Sequence, residues 1–202
     1  MGVYVRLYTE DELTRVVMEK ILQQMDRGYS VFGFSYWYKH TVQKRVADLN
    51  HSAKGDVLYL VVTDQDTPGN CPAGAVENLG APLAPNLLYR FAVMEIEAWI
   101  MADRENFAEF LSVDIHSVPQ LPDEVPKPRE EIVAIAKKFR VKDIRTQLSP
   151  NPSNPASRVG LNYNKVLSGF VREQWNVHSA QKHSPSLKRT CQRLQTFRLK
   201  RV

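Results

Sequence analysis

Asp64 and Asp66, separated by Gln65, close an apolar, β-branched run, Val57-Leu58-Tyr59-Leu60-Val61-Val62-Thr63. Strand alternation aims both carboxylates the same way. Two like charges so placed repel unless a cation lies between them, and hard oxygen ligands in that pattern select Mg2+ or Mn2+. Ordinary loop chemistry competes with this reading, because Asp66-Thr67-Pro68-Gly69-Asn70 is also a good turn.

More acids follow other strand-like runs. Glu10 comes after Val3-Tyr4-Val5-Arg6-Leu7-Tyr8, and Glu95 and Glu97 come after Leu87-Leu88-Tyr89-Arg90-Phe91-Ala92-Val93. In a parallel sheet those ends open on one edge, where α/β proteins bind ligands. Glu10, Asp64, Asp66, Glu95 and Glu97 are therefore the candidate metal ligands, with Glu10, Asp64, Asp66 and Glu97 also catalytic candidates. One or two metals there would polarise a phosphoryl oxygen and activate a water. Glu97 has a competing role as the partner of a base such as Arg90 or Arg104. Lys39, Lys44 and Arg45 are placed to steady a phosphate, although a solvated helix face accounts for them as well. Arg158, ahead of Tyr163 and Asn164 at a helix start, suits phosphate or the docking of a lobe. Trp99 reads as core packing.

The elements that must position these residues alternate. A helix is expected from about Leu13 to Met25, a second strand at Ser30–Ser35 and a helical segment within Tyr36–Leu49. The Asp64 strand follows, then a short helix near Ala73–Leu79, the Leu87–Val93 strand and helical character over Met94–Asp103. Strands alternating with helices imply an α/β fold, a doubly wound, mainly parallel four-stranded sheet. Pro119, Pro122, Pro126 and Pro128 then mark an irregular connection. Helices expected over Arg129–Phe139, Asn164–Gln174 and Pro185–Leu199 would make an α-helical C-terminal lobe, dividing the chain into 1–112 and 113–202.

Charge follows the same division. The chain carries 27 Lys and Arg against 22 Asp and Glu, yet after Leu161 nearly all the charge is basic. Lys165, Arg172, Lys182, Lys188, Arg189, Arg193, Arg198, Lys200 and Arg201 face only Glu173. Such asymmetry suits nucleic acid, with Lys188, Arg189 and Arg193 as backbone contacts; a solubilising tail is the plainer alternative. Cys71 and Cys191 have no partners at ligand or disulfide spacing, which fits a reducing compartment. The first residues enter a strand without the apolar stretch of a signal peptide, so a cytoplasmic, membrane-free protein is expected. No Walker loop, dinucleotide fingerprint, nucleophile elbow or zincin helix occurs, which disfavours those enzyme classes.

Glu10 after the first strand and Asp64-Gln65-Asp66 after a later one resemble the Toprim domain of topoisomerases, primases and nucleases of the overcoming-lysogenization-defect class. The wider chain resembles a Toprim-like family of unknown function from bacterial defence and mobile contexts. That likeness runs through Tyr8-Thr9-Glu10-Asp11-Glu12-Leu13, Thr63-Asp64-Gln65-Asp66, Glu95-Ile96-Glu97-Ala98-Trp99 and Arg158-Val159-Gly160-Leu161-Asn162-Tyr163-Asn164. It implies a Rossmann-like Toprim fold and a Mg2+- or Mn2+-dependent nuclease acting on DNA or RNA. It further implies a separate ABC- or SMC-like ATPase partner in phage defence, and a homodimer. One position departs from the pattern: Asp11 stands where Toprim domains carry Gly, which leaves the first ligand open among Glu10, Asp11 and Glu12. The alternative is a non-catalytic regulatory or scaffold subunit of the same shape.

Overall fold

The structure is a computed structural model describing residues 2–65, 72–138, 142–151 and 157–200. Asp66 and the proposed turn behind it lie outside the described residues, as does Phe139. The chain forms two compact units, Met1–Ala92 with Arg189–Val202, and Val93–Lys188. The boundary expected at residue 112 thus falls at Ala92, and the last stretch groups with the sheet.

The first unit holds β1 (Val3–Thr9), β2 (Tyr29–Tyr36), β3 (Val57–Asp64) and β4 (Leu87–Ala92), with α1 (Glu12–Gln24), α2 (Lys39–Ser52) and α3 (Pro72–Glu77) between them. All strand pairs are parallel and the order is β2-β1-β3-β4. This is an α/β fold with an all-parallel sheet. Right-handed crossovers settle where the helices go. The chain moves one way from β1 to β2 and the other way from β2 to β3 and β4, so α2 and α3 share a face opposite α1. The side chains agree. Tyr8, Val61 and Tyr89 form one cross-strand row and pack with Val42, Val46 and Leu49 of α2. The alternate row, Leu7, Leu60 and Leu88, is buried on the other face, and each such leucine contributes about 2 kcal/mol of transfer free energy.

β4 would be bare on the α1 face without the C-terminal stretch. Arg90 there donates from Nε to the Thr190 hydroxyl at 3.4 Å, and the Tyr29 hydroxyl donates to Leu194 O at 2.6 Å. Arg27 donates to the carbonyls of Leu194, Gln195 and Phe197. The Asn86 amide donates to Lys200 O at 2.8 Å and its oxygen accepts from Lys200 N at 2.9 Å. These bonds make the basic tail a structural part of the sheet unit.

The second unit holds α4 (Ile96–Ala102), α5 (Arg104–Phe110), α6 (Pro128–Lys137), α7 (Lys142–Leu148), α8 (Tyr163–Glu173) and α9 (Val177–Ala180), with short 3-10 turns at Ile115–Ser117 and Pro122–Glu124. The boundary after Lys188 falls within α10 (Pro185–Thr196). Every residue of α4 is buried, which makes it the central element of this unit. Trp99 is fully enclosed, as expected of core packing; its indole N–H donates to Ser186 Oγ at 2.7 Å, and the Trp175 indole donates to Trp99 O at 3.2 Å. Among the described residues no helix is long and apolar enough to cross a membrane.

Candidate functional site

The order β2-β1-β3-β4 reverses direction between β1 and β3, which makes their carboxyl ends the switch point where open α/β sheets bind ligands. Glu10 follows β1 directly and Asp64 is the last residue of β3. They meet there. Glu10 Oε1 accepts the backbone N–H of Asp64 at 3.0 Å and also the Thr63 hydroxyl. Glu10 Oε2 takes no hydrogen bond from the described residues. A carboxylate held by one oxygen with the other left open is pre-oriented for a cation or a water.

The neighbouring acids are otherwise engaged. Asp11 caps α1, its Oδ1 accepting from Thr14 N at 2.8 Å, as Asp does when it satisfies an orphan amide of a first turn. Glu12 pairs with Arg15 at 3.4 Å. Glu10 is the one seen to reach β3. The Thr63 hydroxyl was not singled out in the sequence; a β-branched polar residue one place before a strand-end Asp was the available signal.

A cavity of about 400 Å³ opens beside Asp64. Lys39 and Gln43 of α2, Asn78 just after α3, and Tyr89 and Phe91 of β4 line it with Asp64. The Tyr89 and Phe91 rings lie 4.4 Å apart and tilted. Burial, reinforced by the charge of Glu10, pushes the Tyr89 phenol up to about 12. Of the other expected phosphate contacts, Lys44 and Arg45 are exposed on α2, with the Arg45 guanidinium 5.7 Å from the Trp37 ring centre.

On the α1 face, Arg189 and Arg193 are exposed and flank half-buried Arg90, which strand register places on the row next to Asp64. Burial, followed by these two cations, lowers the Arg90 pKa. No ion pair joins the three to a carboxylate among the described residues. Three guanidiniums without a counter-charge attract anions. Arg90, inside an apolar strand, carried the signal that would have joined it to this group.

Glu95 and Glu97 belong to the second unit and serve a different geometry. Glu97 is 0% exposed; its Oε1 accepts from Arg129 Nε at 2.7 Å and from the Tyr163 hydroxyl at 3.5 Å, while buried Oε2 has no hydrogen-bond partner among the described residues. Glu95 Oε2 accepts the Arg129 backbone N–H at 2.8 Å, in the first turn of α6. Burial raises the Glu97 pKa against the opposing pull of Arg129, and burial also raises the Tyr163 phenol. Sequence spacing suggested Arg90 or Arg104 as its partner; Arg129 takes that place. Arg158 is exposed beside Gly160, whose N–H donates to Leu148 O at 2.9 Å, and Lys188 is exposed on α10.

Among the described residues no three His, Cys, Asp or Glu side chains gather as a metal-holding group. No family model, curated protein or solved structure matches this chain.

Proposed function

We propose that the sheet unit is a Toprim-type, Mg2+- or Mn2+-dependent nuclease domain hydrolysing phosphodiester bonds in DNA or RNA. The observation that carries this reading is the bond between Glu10 and Asp64 at the switch point of the sheet. All donors there are hard oxygens, and Glu10 Oε2 takes no hydrogen bond among the described residues, so the residues suit a hard divalent cation. Glu10 and Asp64 would hold it, with Asp66 as the third acid. Such a cation supplies charge stabilisation at phosphorus and a water of lowered pKa. Thr63 positions Glu10, and Arg90, Arg189 and Arg193 offer the polyanion a sequence-independent hold. Glu95 and Glu97 fall outside this ligand set, because Glu97 is enclosed and its charge is already met by Arg129.

The Asp11 departure from the Toprim pattern agrees with this assignment, since capping α1 is work that Gly cannot do through a side chain. The ATPase partner, the homodimer and the setting in phage defence rest on the resemblance alone. A second reading, a non-catalytic scaffold of Toprim shape, is favoured by the structural work Glu10 already does in accepting from Thr63 and Asp64. Incubating plasmid, single-stranded DNA and total tRNA with the protein and Mg2+ or Mn2+ separates the two. Cutting that stops in Asp64→Ala supports the nuclease, and none with either metal supports the scaffold.

A further inference from the structure

We infer that the cavity beside Asp64 is a nucleobase site that accepts the base of one unpaired nucleotide. The inference rests on the nuclease reading for why a nucleotide should come there, and on the cavity itself for what it binds. At about 400 Å³ it falls within the roughly 300–1,000 Å³ typical of small-ligand sites. It has room for one nucleotide rather than a length of duplex.

The walls divide by chemistry. Half-buried Phe91, backed by the buried Tyr89 ring 4.4 Å away, gives an aromatic face on the sheet side, and aromatic faces stack on any base because every base has a π-face. Gln43 and Asn78 stand on the helix side, both exposed. Neither carboxamide makes a side-chain hydrogen bond to the described residues. Each presents a donor and an acceptor, the combination that reads a base edge. Lys39 and Asp64 also line the cavity, so a base seated against Phe91 leaves its phosphate near a cation and near Asp64. A purely apolar ligand would strand the two amides, and a sugar phosphate would leave the exposed part of the Phe91 ring uncovered. A base in this cavity must be out of its duplex, which makes the substrate single-stranded, a loop or a frayed end.

The test is a fluorescence titration of the full chain in metal-free buffer with AMP, GMP, CMP and UMP, using ribose 5-phosphate as the ligand lacking a base. At least one mononucleotide is expected to bind, ten-fold or more tighter than ribose 5-phosphate. The Gln43→Ala/Asn78→Ala double variant, altered at exposed positions, should lose at least ten-fold at unchanged Tm, and Phe91→Leu should weaken binding of all bases that bind. A single-stranded octamer should displace the nucleotide where a relaxed, covalently closed circular duplex, which has neither loop nor end, does not. Failure of every mononucleotide to bind, equal binding of ribose 5-phosphate, or an unaffected double variant overturns the base site. An octamer that does not compete overturns its assignment to a strand. Because no metal is present, cleavage without base binding sinks only this inference, and base binding without cleavage sinks only the nuclease.

Discussion

Glu10 Oε1 accepts the Asp64 backbone N–H at 3.0 Å, tying the end of β1 to the end of β3 where the sheet changes winding direction. One carboxylate thus has two tasks: it closes the strand ends through Oε1 and, in the proposed function, offers its other oxygen to a cation.

Those tasks separate by substitution. Glu10→Gln keeps an acceptor for the Asp64 N–H and the Thr63 hydroxyl, so its stability should fall by less than about 0.5 kcal/mol. Glu10→Ala leaves both donors unmet and should cost about 1–3 kcal/mol. Urea denaturation of both variants measures the difference; equal losses would mean that the bond contributes nothing.

Arg129 and Glu97 form the internal pair of the second unit. Removing one member of a buried pair costs about 3–5 kcal/mol. Because the Arg129 side chain is 37% exposed, Arg129→Met should sit at the low end, about 3 kcal/mol. Adding Glu97→Gln should recover much of that loss, and a double-mutant cycle on denaturation midpoints reads the coupling.

Glu97 also gives this pair a pH dependence. Its pKa is raised in the folded protein by burial, so the fold holds that proton more tightly than the unfolded chain does. Protonation therefore favours folding, and stability should fall as pH rises from the ordinary carboxylate range towards the raised folded value. Glu97→Gln should lack this component, seen as the difference between the two Tm-versus-pH curves.

Gly160 lies against the end of α7. A Cβ there would sit 1.9 Å from Gln147 O, a backbone atom that cannot swing aside. Gly160→Ala should cost about 3 kcal/mol, as overpacking against fixed neighbours does. A Tm within a degree of the native protein would refute the contact.

Arg189 and Arg193 flank Arg90 without carboxylate partners among the described residues. If both meet phosphates, Arg189→Gln/Arg193→Gln should lower the slope of log K against log salt by roughly 0.9 per contact on duplex DNA, or roughly 0.7 on single strands. Filter binding across a salt series measures it, and an unchanged slope would place the phosphates elsewhere.

Much of the sheet was legible because Val57–Asp64 and Leu87–Ala92 read as the apolar runs of buried parallel strands, and Val3–Thr9 as an alternating one. Short helices were legible near Ala73–Leu79 and over Met94–Asp103, where α3 and α4 form, but not everywhere. In α5, Arg104–Phe110, only Phe107 and Ala108 are buried, too little for a periodic signal. The basic tail hid its own apolar stripe: Leu187, Cys191 and Leu194 recur at helical spacing and are buried, so a helix read for its charge also packs. At the site, the alternatives Glu10, Asp11 and Glu12 were indistinguishable by composition. What separates them is three-dimensional, a cap, an ion pair and a reach to β3.

The most direct test of the central claim is calorimetric titration of Mn2+ into the native protein, Glu10→Gln and Asp64→Ala. The account predicts saturable binding by the native chain that weakens at least ten-fold in each variant while both remain folded. Absence of binding by the native protein, or binding that both substitutions leave untouched, would contradict a metal site at the ends of β1 and β3.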